Sequence, residues 1–159
     1  MAESIVKLST KDSAIILEVN GNIDELFSFQ NVNFSGYKEL IFDLQHLIAI
    51  NSIGIRTWIQ WNATIPKNIK IIYRNCSRVA VEHMQTFAGF YPSGTFVESA
   101  YVPYYCDPCD KATDLLVRAT DSNTSGTVDI PDTIECQYCH NPATIDADKD
   151  DYTQVFLAK

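Results

Sequence analysis

Two C-x2-C pairs constrain the fold of this chain more than any other feature of its sequence. They are Cys106-Asp107-Pro108-Cys109 and Cys136-Gln137-Tyr138-Cys139, with 26 residues between them. Each pair can form a tight turn that points two thiolates at one ion, and two such turns complete a tetrahedral four-thiolate shell. Zn²⁺ suits that shell, which leaves no coordination position for a substrate. The spacing therefore predicts one structural zinc ion with these ligands: Cys106, Cys109, Cys136 and Cys139.

The segments around the pairs have the character of short strands. Residues 112–119, 127–130 and 154–157 are rich in β-branched and apolar residues, and 121–126 is typical of an exposed loop. This arrangement is similar to a zinc ribbon, in which two metal-binding knuckles lie at the tips of β-hairpins. Because so small a segment buries little apolar surface, bound metal would contribute directly to its folding free energy.

Other chemistries remain open for these cysteines. Cys136 to His140 matches the C-x2-C-H string of haem c attachment, and either pair could be a redox-active dithiol. Two disulfides are a further alternative in an oxidising compartment. His140 could replace a cysteine as ligand, although four thiolates already close the shell. Cys76, the fifth cysteine, is expected to be a buried apolar side chain.

Charge and apolar content divide the chain near residue 100. Residues 1–100 have a net charge of −1 and several apolar runs, whereas residues 101–159 account for −7 of the total charge of −8. Four of the five cysteines lie in the acidic part. The sequence therefore predicts two domains, 1–100 and 101–159.

The overall charge also bears on partners and location. Proteins that bind nucleic acids usually have a positively charged surface, and this chain has a net charge of −8, so we expect no nucleic-acid partner. No run of 18 apolar residues is present and the N-terminus is polar, so we expect no membrane span and a cytoplasmic protein.

The first domain alternates between strand and helix patterns. Strands are expected near 5–8, 14–19, 39–44, 68–73 and 95–98, and helices over 51–62 and 76–87. This order predicts the α/β class, with one mixed sheet and helices packed against it.

The segment from Phe42 to Ile55 resembles the signature of STAS domains, which occur in bacterial anti-sigma-factor antagonists. That signature has an apolar-Asp-Leu strand followed by Asp-Ser-Ser/Thr-Gly, and here Asp43-Leu44 and Asn51-Ser52-Ile53-Gly54 occupy these positions. In the family a serine or threonine at this helix start is phosphorylated by an anti-sigma-factor kinase, which releases the partner. The resemblance implies a STAS-like mixed sheet, partner binding by residues 51–54 and Ser52 as the phosphoacceptor.

The chain departs from the STAS pattern in three places. Asn51 replaces the usual aspartate and Ile53 replaces the second hydroxyl residue, so that only Ser52 can be phosphorylated there. Residues 24–36, where the family has its first helix, are rich in Asn and Ser, which predicts a shortened or lost helix. Without a phosphoacceptor role, Ser52 would be an ordinary helix N-cap.

The STAS resemblance and the two C-x2-C pairs together imply a non-enzymatic bacterial regulatory or scaffolding protein. Its STAS-like domain would bind a protein partner, with an anti-sigma-factor-like kinase or another regulator as the candidates. Its zinc ribbon would add a second docking surface. The alternative is an enzyme, either a thiol oxidoreductase that uses a C-x2-C pair or a zinc-dependent hydrolase.

Overall fold

The computed structural model describes residues 5–29, 31–119 and 128–157. In this part of the chain the strands are β1 (Ile5–Lys11), β2 (Ala14–Ile23), β3 (Glu39–Asp43), β4 (Leu47–Ile50), β5 (Lys70–Arg74), β6 (Phe96–Val97), β7 (Ser99–Cys106), β8 (Lys111–Arg118), β9 (Thr133–Glu135) and β10 (Pro142–Ile145). The helices are α1 (Ser52–Asn62), α2 (Arg78–Thr86) and α3 (Lys149–Phe156).

The strands form two sheets. The first is mixed, with the order β1-β2-β3-β5-β6, in which β1 is antiparallel to β2 and the other neighbours are parallel. Strand β4 pairs in parallel with the C-terminal end of β2. The second sheet has the order β8-β7-β10-β9 and is antiparallel. The predicted α/β class is therefore confirmed.

Helix α1 packs the indole ring of Trp58 into the core of the mixed sheet. Trp58 is fully buried and its Nε1 donates to the Phe90 carbonyl oxygen at 2.7 Å. Tyr73 from β5 donates its hydroxyl to the same oxygen at 2.8 Å, and burial raises the pKa of this tyrosine. One backbone carbonyl therefore ties α1 and β5 to the loop after α2.

Strand β7 connects the two sheets. At its start, the Cys76 N–H donates to Ser99 O at 3.0 Å and the Tyr101 N–H donates to Cys76 O at 2.9 Å. Cys76 is fully buried, as expected, and burial raises the pKa of its thiol. The expected boundary near residue 100 lies inside β7, and the division into two domains stays a prediction.

Three sequence expectations differ from the structure. Residues 154–157 were expected as a strand, but Gln154, Val155 and Phe156 lie in α3 and Leu157 follows it. Strands β4, β7, β9 and β10 were not among the expected strand segments, and residues 128–130 are not a strand. No helix is found in the described residues of 24–36, as expected. The loop predicted at 121–126 lies outside the described residues, as does Thr127.

None of the helices in the described ranges combines the length and apolar content needed to cross a membrane.

Candidate metal centre and the α1 corner

The two C-x2-C pairs lie in two turns of similar backbone geometry. In the first, Cys106 ends β7, a 3-10 turn spans Asp107–Cys109, and Asp110 takes a left-handed conformation with φ 56°. In the second, Cys136 follows β9 and His140, directly after Cys139, has φ 61°. Each turn therefore joins two antiparallel strands, as expected of knuckles at hairpin tips.

The four thiols meet at one point. The Sγ atoms of Cys106 and Cys139 are 3.4 Å apart, those of Cys109 and Cys136 are 3.6 Å apart, and all four lie within 4.8 Å of one another. A Zn–S bond of about 2.3 Å gives a tetrahedron whose edge is about 3.8 Å. The cluster is thus compatible with a tetrahedral metal ion, and all five cysteines of the chain are free thiols.

Backbone and amide N–H groups point at two of the sulfurs. The Tyr138 N–H donates to Cys136 Sγ and the Asn141 side chain donates to Cys139 Sγ, both at 3.4 Å. Donation from the Asn141 backbone and side chain lowers the pKa of Cys139 to about 6, and N–H groups of Tyr138 and Cys139 lower the pKa of Cys136. These donors, which sequence reasoning missed, favour the thiolate form that binds metal.

In the first knuckle, the pKa values of Cys106 and Cys109 are raised, not lowered. Burial raises the pKa of Cys106, and burial together with the neighbouring sulfurs raises the pKa of Cys109 to about 12. Without a cation these two thiols stay protonated at neutral pH. A bound divalent ion would supply the positive charge that deprotonates them.

His140 points away from the cluster. Its Nδ1 lies 2.6 Å from Glu135 Oε1, and its side chain is exposed. The donor set is therefore the four cysteines alone, and the imidazole is turned to solvent.

Asn51 caps helix α1. Its Oδ1 accepts from the Gly54 N–H at 2.8 Å, and its Nδ2 donates to Glu25 Oε2 at 2.8 Å. The pKa of the Glu25 carboxyl group is held below its ordinary value by the backbone N–H of Glu25 itself and by the side-chain amide of Asn51. The expectation that Ser52 is the N-cap was therefore wrong, because Asn51 takes that position and Ser52 is the first helical residue.

The next residues, Ser52 and Ile53, face outward. Both are exposed, and the Ser52 hydroxyl has no hydrogen-bond partner within the described ranges. Ile53 is 53% exposed, Leu26 beside Glu25 is 86% exposed and Ile48 in β4 is 59% exposed. We call Leu26, Ile48, Ser52 and Ile53 the α1 corner.

Gly54 lies behind this corner and is buried. A Cβ atom at this position would lie 2.1 Å from the Ile23 carbonyl oxygen, so only glycine allows α1 to approach the end of β2 this closely. Gly54 therefore acts by positioning Ser52 and Ile53.

Comparison with known proteins adds no family to these observations. A scan of the sequence against protein-family models finds no match, and a search of curated proteins finds no significant similarity.

Proposed function

We propose that this chain is a non-enzymatic regulatory or scaffolding protein of bacterial type, in which a STAS-like part binds a protein partner and a structural zinc ion holds the second sheet. The observation that carries the proposal is the α1 corner. Ser52 and Ile53 are exposed, while Asn51 and Gly54 fix the helix start that presents them. Contiguous exposed apolar side chains are typical of protein-binding surfaces, and in this proposal Leu26, Ile48 and Ile53 form one such patch.

The four-cysteine cluster supports a structural role for the metal. Catalytic zinc sites keep a position for water or substrate, whereas four thiolate ligands complete the tetrahedron. In this proposal the zinc ion joins the β7–β8 hairpin to the β9–β10 hairpin and takes no part in chemistry.

We propose further that the partner binds without phosphorylation of Ser52. A phosphate on Ser52 would lie at the N-terminus of α1, where free N–H groups favour an anion. However, Glu25 accepts from Asn51 directly beside it, and its carboxylate would repel a phosphate. The partner is an anti-sigma-factor-like kinase or a related regulator that binds the α1 corner with Ser52 unphosphorylated.

Affinity capture with matched variants tests the partner surface. The bait is the full, zinc-loaded chain, either wild type, Ile53→Glu or Leu8→Glu. Leu8 is the control because it is 42% exposed in β1, away from the corner. We expect one bacterial protein to be retained by wild type and Leu8→Glu and lost with Ile53→Glu, since a buried charge opposes binding. Equal capture by all three baits would contradict the proposal.

Ser52 is tested on the same captured complex. Incubation with ATP followed by mass spectrometry should find no phosphate on Ser52, and Ser52→Ala should bind the partner as wild type does. Phosphate on Ser52 together with release of the partner would replace constitutive binding with a phosphorylation switch.

One observation favours a thiol oxidoreductase as the second candidate, namely the pKa of about 6 for Cys139. A reactive thiolate would be alkylated rapidly in the protein as purified. Protein that purifies without metal and whose Cys139 is alkylated rapidly would support this candidate, whereas zinc in the purified protein with all four thiols protected would eliminate it.

A further inference from the structure

A cleft lies between α2 and α3 and shares no residue with the zinc cluster or the α1 corner. Its volume is about 200 Å³, which is the size of one side chain rather than of a cofactor. One face of α2 forms one wall, and the first turn of α3 with the residue before its cap forms the other.

Tyr152 of α3 is one of the residues that line this cleft, and its buried hydroxyl group lacks a partner in the described part of the chain. The residue is 4% exposed, and its Oη is buried with no hydrogen-bond partner in the described part of the chain. Buried tyrosine hydroxyls are normally hydrogen-bonded. Burial raises the pKa of Tyr152 to about 12, so the group is a neutral hydroxyl that can accept a hydrogen bond.

The charges around the cleft favour a cation. Its walls carry one positive side chain, Arg78, and three negative ones, Glu82, Asp148 and Asp151. Arg78 Nε is already paired with Glu82 Oε1 at 3.1 Å. Asp148 and Asp151 are exposed and form no ion pair with any described residue. The negative charge on the α3 wall is therefore uncompensated.

The cleft can also admit a side chain. Val81, which is 2% exposed, and Ala147 provide apolar surface for a hydrocarbon stem. The charges of Arg78 and Glu82 act on the Tyr152 hydroxyl, and their side chains are 58% and 59% exposed. Because exposed side chains change rotamer freely, these two can turn outward and widen the cleft, which an approach to the buried Oη requires.

We propose that the cleft binds the lysine side chain of a protein partner, with its ammonium group held by the Tyr152 hydroxyl and the Asp148 and Asp151 carboxylates. An ammonium group has three donors on a flexible stem, which suits three separate acceptors. The planar fork of arginine is better matched to a single carboxylate. This site is independent of the α1 corner, and it gives the acidic part of the chain a defined cationic target.

The test is an NMR titration of the full, zinc-loaded protein, uniformly labelled with ¹⁵N. The probe is N-acetyl-lysine-N-methylamide, and the matched neutral probe is N-acetyl-norleucine-N-methylamide. We expect the lysine probe to shift the amide signals of Asp148 to Tyr152 in a saturable manner, and the norleucine probe to leave them unchanged. Tyr152→Phe should weaken binding about tenfold, as expected for one hydrogen bond to a charged group.

Charge variants provide the matched control. Asp151→Asn should weaken binding a few-fold, whereas Asp150→Asn, which changes the net charge equally outside the cleft, should not. Thermal unfolding of Tyr152→Phe checks the fold, and the midpoint should be unchanged or higher because Oη has no partner to lose.

Each of the opposite results overturns the proposal. Absence of saturable shifts with the lysine probe excludes an ammonium site, and equal shifts with norleucine show apolar binding only. Wild-type affinity in Tyr152→Phe removes the hydroxyl from the site. A final titration uses the free diamine putrescine. If putrescine binds and N-acetyl-lysine-N-methylamide does not, the cleft is a site for a small amine and not for a protein.

Discussion

At the residue scale, Asn51 performs two tasks, of which an aspartate at this position could perform only one. Its amide oxygen caps α1 and its amide nitrogen donates to Glu25, 26 residues earlier in the chain. Aspartate could perform the first task but not the second, because a carboxylate has no N–H to donate. One asparagine therefore fixes both the helix start and the loop that carries Leu26.

Substitution of Asn51 should separate these two tasks. Asn51→Ala removes the cap and should cost about 1 kcal/mol of unfolding free energy. Asn51→Asp keeps the cap but places two carboxylates together, so its thermal midpoint at pH 7 should fall below that of wild type. Adding Glu25→Gln should restore the midpoint, because the amide again donates a hydrogen bond.

The pH dependence of the Asn51→Asp variant checks the cause. The repulsion exists only while both carboxylates are ionised, so the difference from wild type should shrink as the pH falls through their pKa values. An Asn51→Asp variant that is more stable than wild type at pH 7 would contradict the double role of Asn51.

The sequence could not decide which of two adjacent residues caps α1. Asparagine and serine are about equally good N-caps, so the local pattern at residues 51 and 52 fits either choice. The structure selects Asn51 through Glu25, a distant partner that no local pattern contains. The consequence is that Ser52 is left exposed.

At the element scale, α3 is the helix that sequence reasoning missed. Residues 154–157 were expected as a strand, yet Asp148 caps a helix here by accepting from the Asp150 N–H at 2.9 Å. Asp150 and Asp151 lie in the first turn, where negative charge stabilises a helix. The buried residues Tyr152, Val155 and Phe156 have the spacing of a helix face, so the signal was present although the segment is short.

The longer strands and helices could be predicted from the periodicity of their apolar residues. Strands β2, β3 and β5 and helices α1 and α2 were expected within a few residues of their bounds, because each has a sustained apolar period. Strand β4 has only four residues and pairs with a distant strand, so no local period indicates it. The knuckles followed from cysteine spacing alone.

The packing of α3 gives a direct prediction at this scale. Phe156 is 2% exposed, and Phe156→Ala should lower the free energy of unfolding by about 3–5 kcal/mol through lost burial and a cavity. Gln154→Ala, on the exposed face of the same helix, should change it by less than about 0.5 kcal/mol. Denaturant unfolding followed by circular dichroism measures both, and similar effects of the two substitutions would argue against the helical packing of this segment.

At the scale of the whole molecule, β7 carries the effect of the metal from one sheet to the other. Cys106 ends this strand at the cluster, and Ser99 begins it with hydrogen bonds to Cys76 and Asn75 near the start of α2. β10, which follows the second knuckle, leads into α3, and α3 packs against α2. Metal binding should therefore stabilise the contacts of α2 as well as the second sheet.

In the proposed metal centre, four cysteines hold one zinc ion. Metal analysis of the purified chain, combined with a count of reactive thiols, tests it most directly. We predict one zinc per chain and no rapidly reacting thiol. A chelator should then lower the thermal midpoint and expose the four thiols, with Cys136 and Cys139 reacting before Cys106 and Cys109 because only the second pair has a lowered pKa. Cys76 should react only after unfolding because it is buried. A stably folded chain that purifies without metal, has reactive thiols among these four cysteines, and gains neither zinc nor stability when zinc is added would contradict the claim.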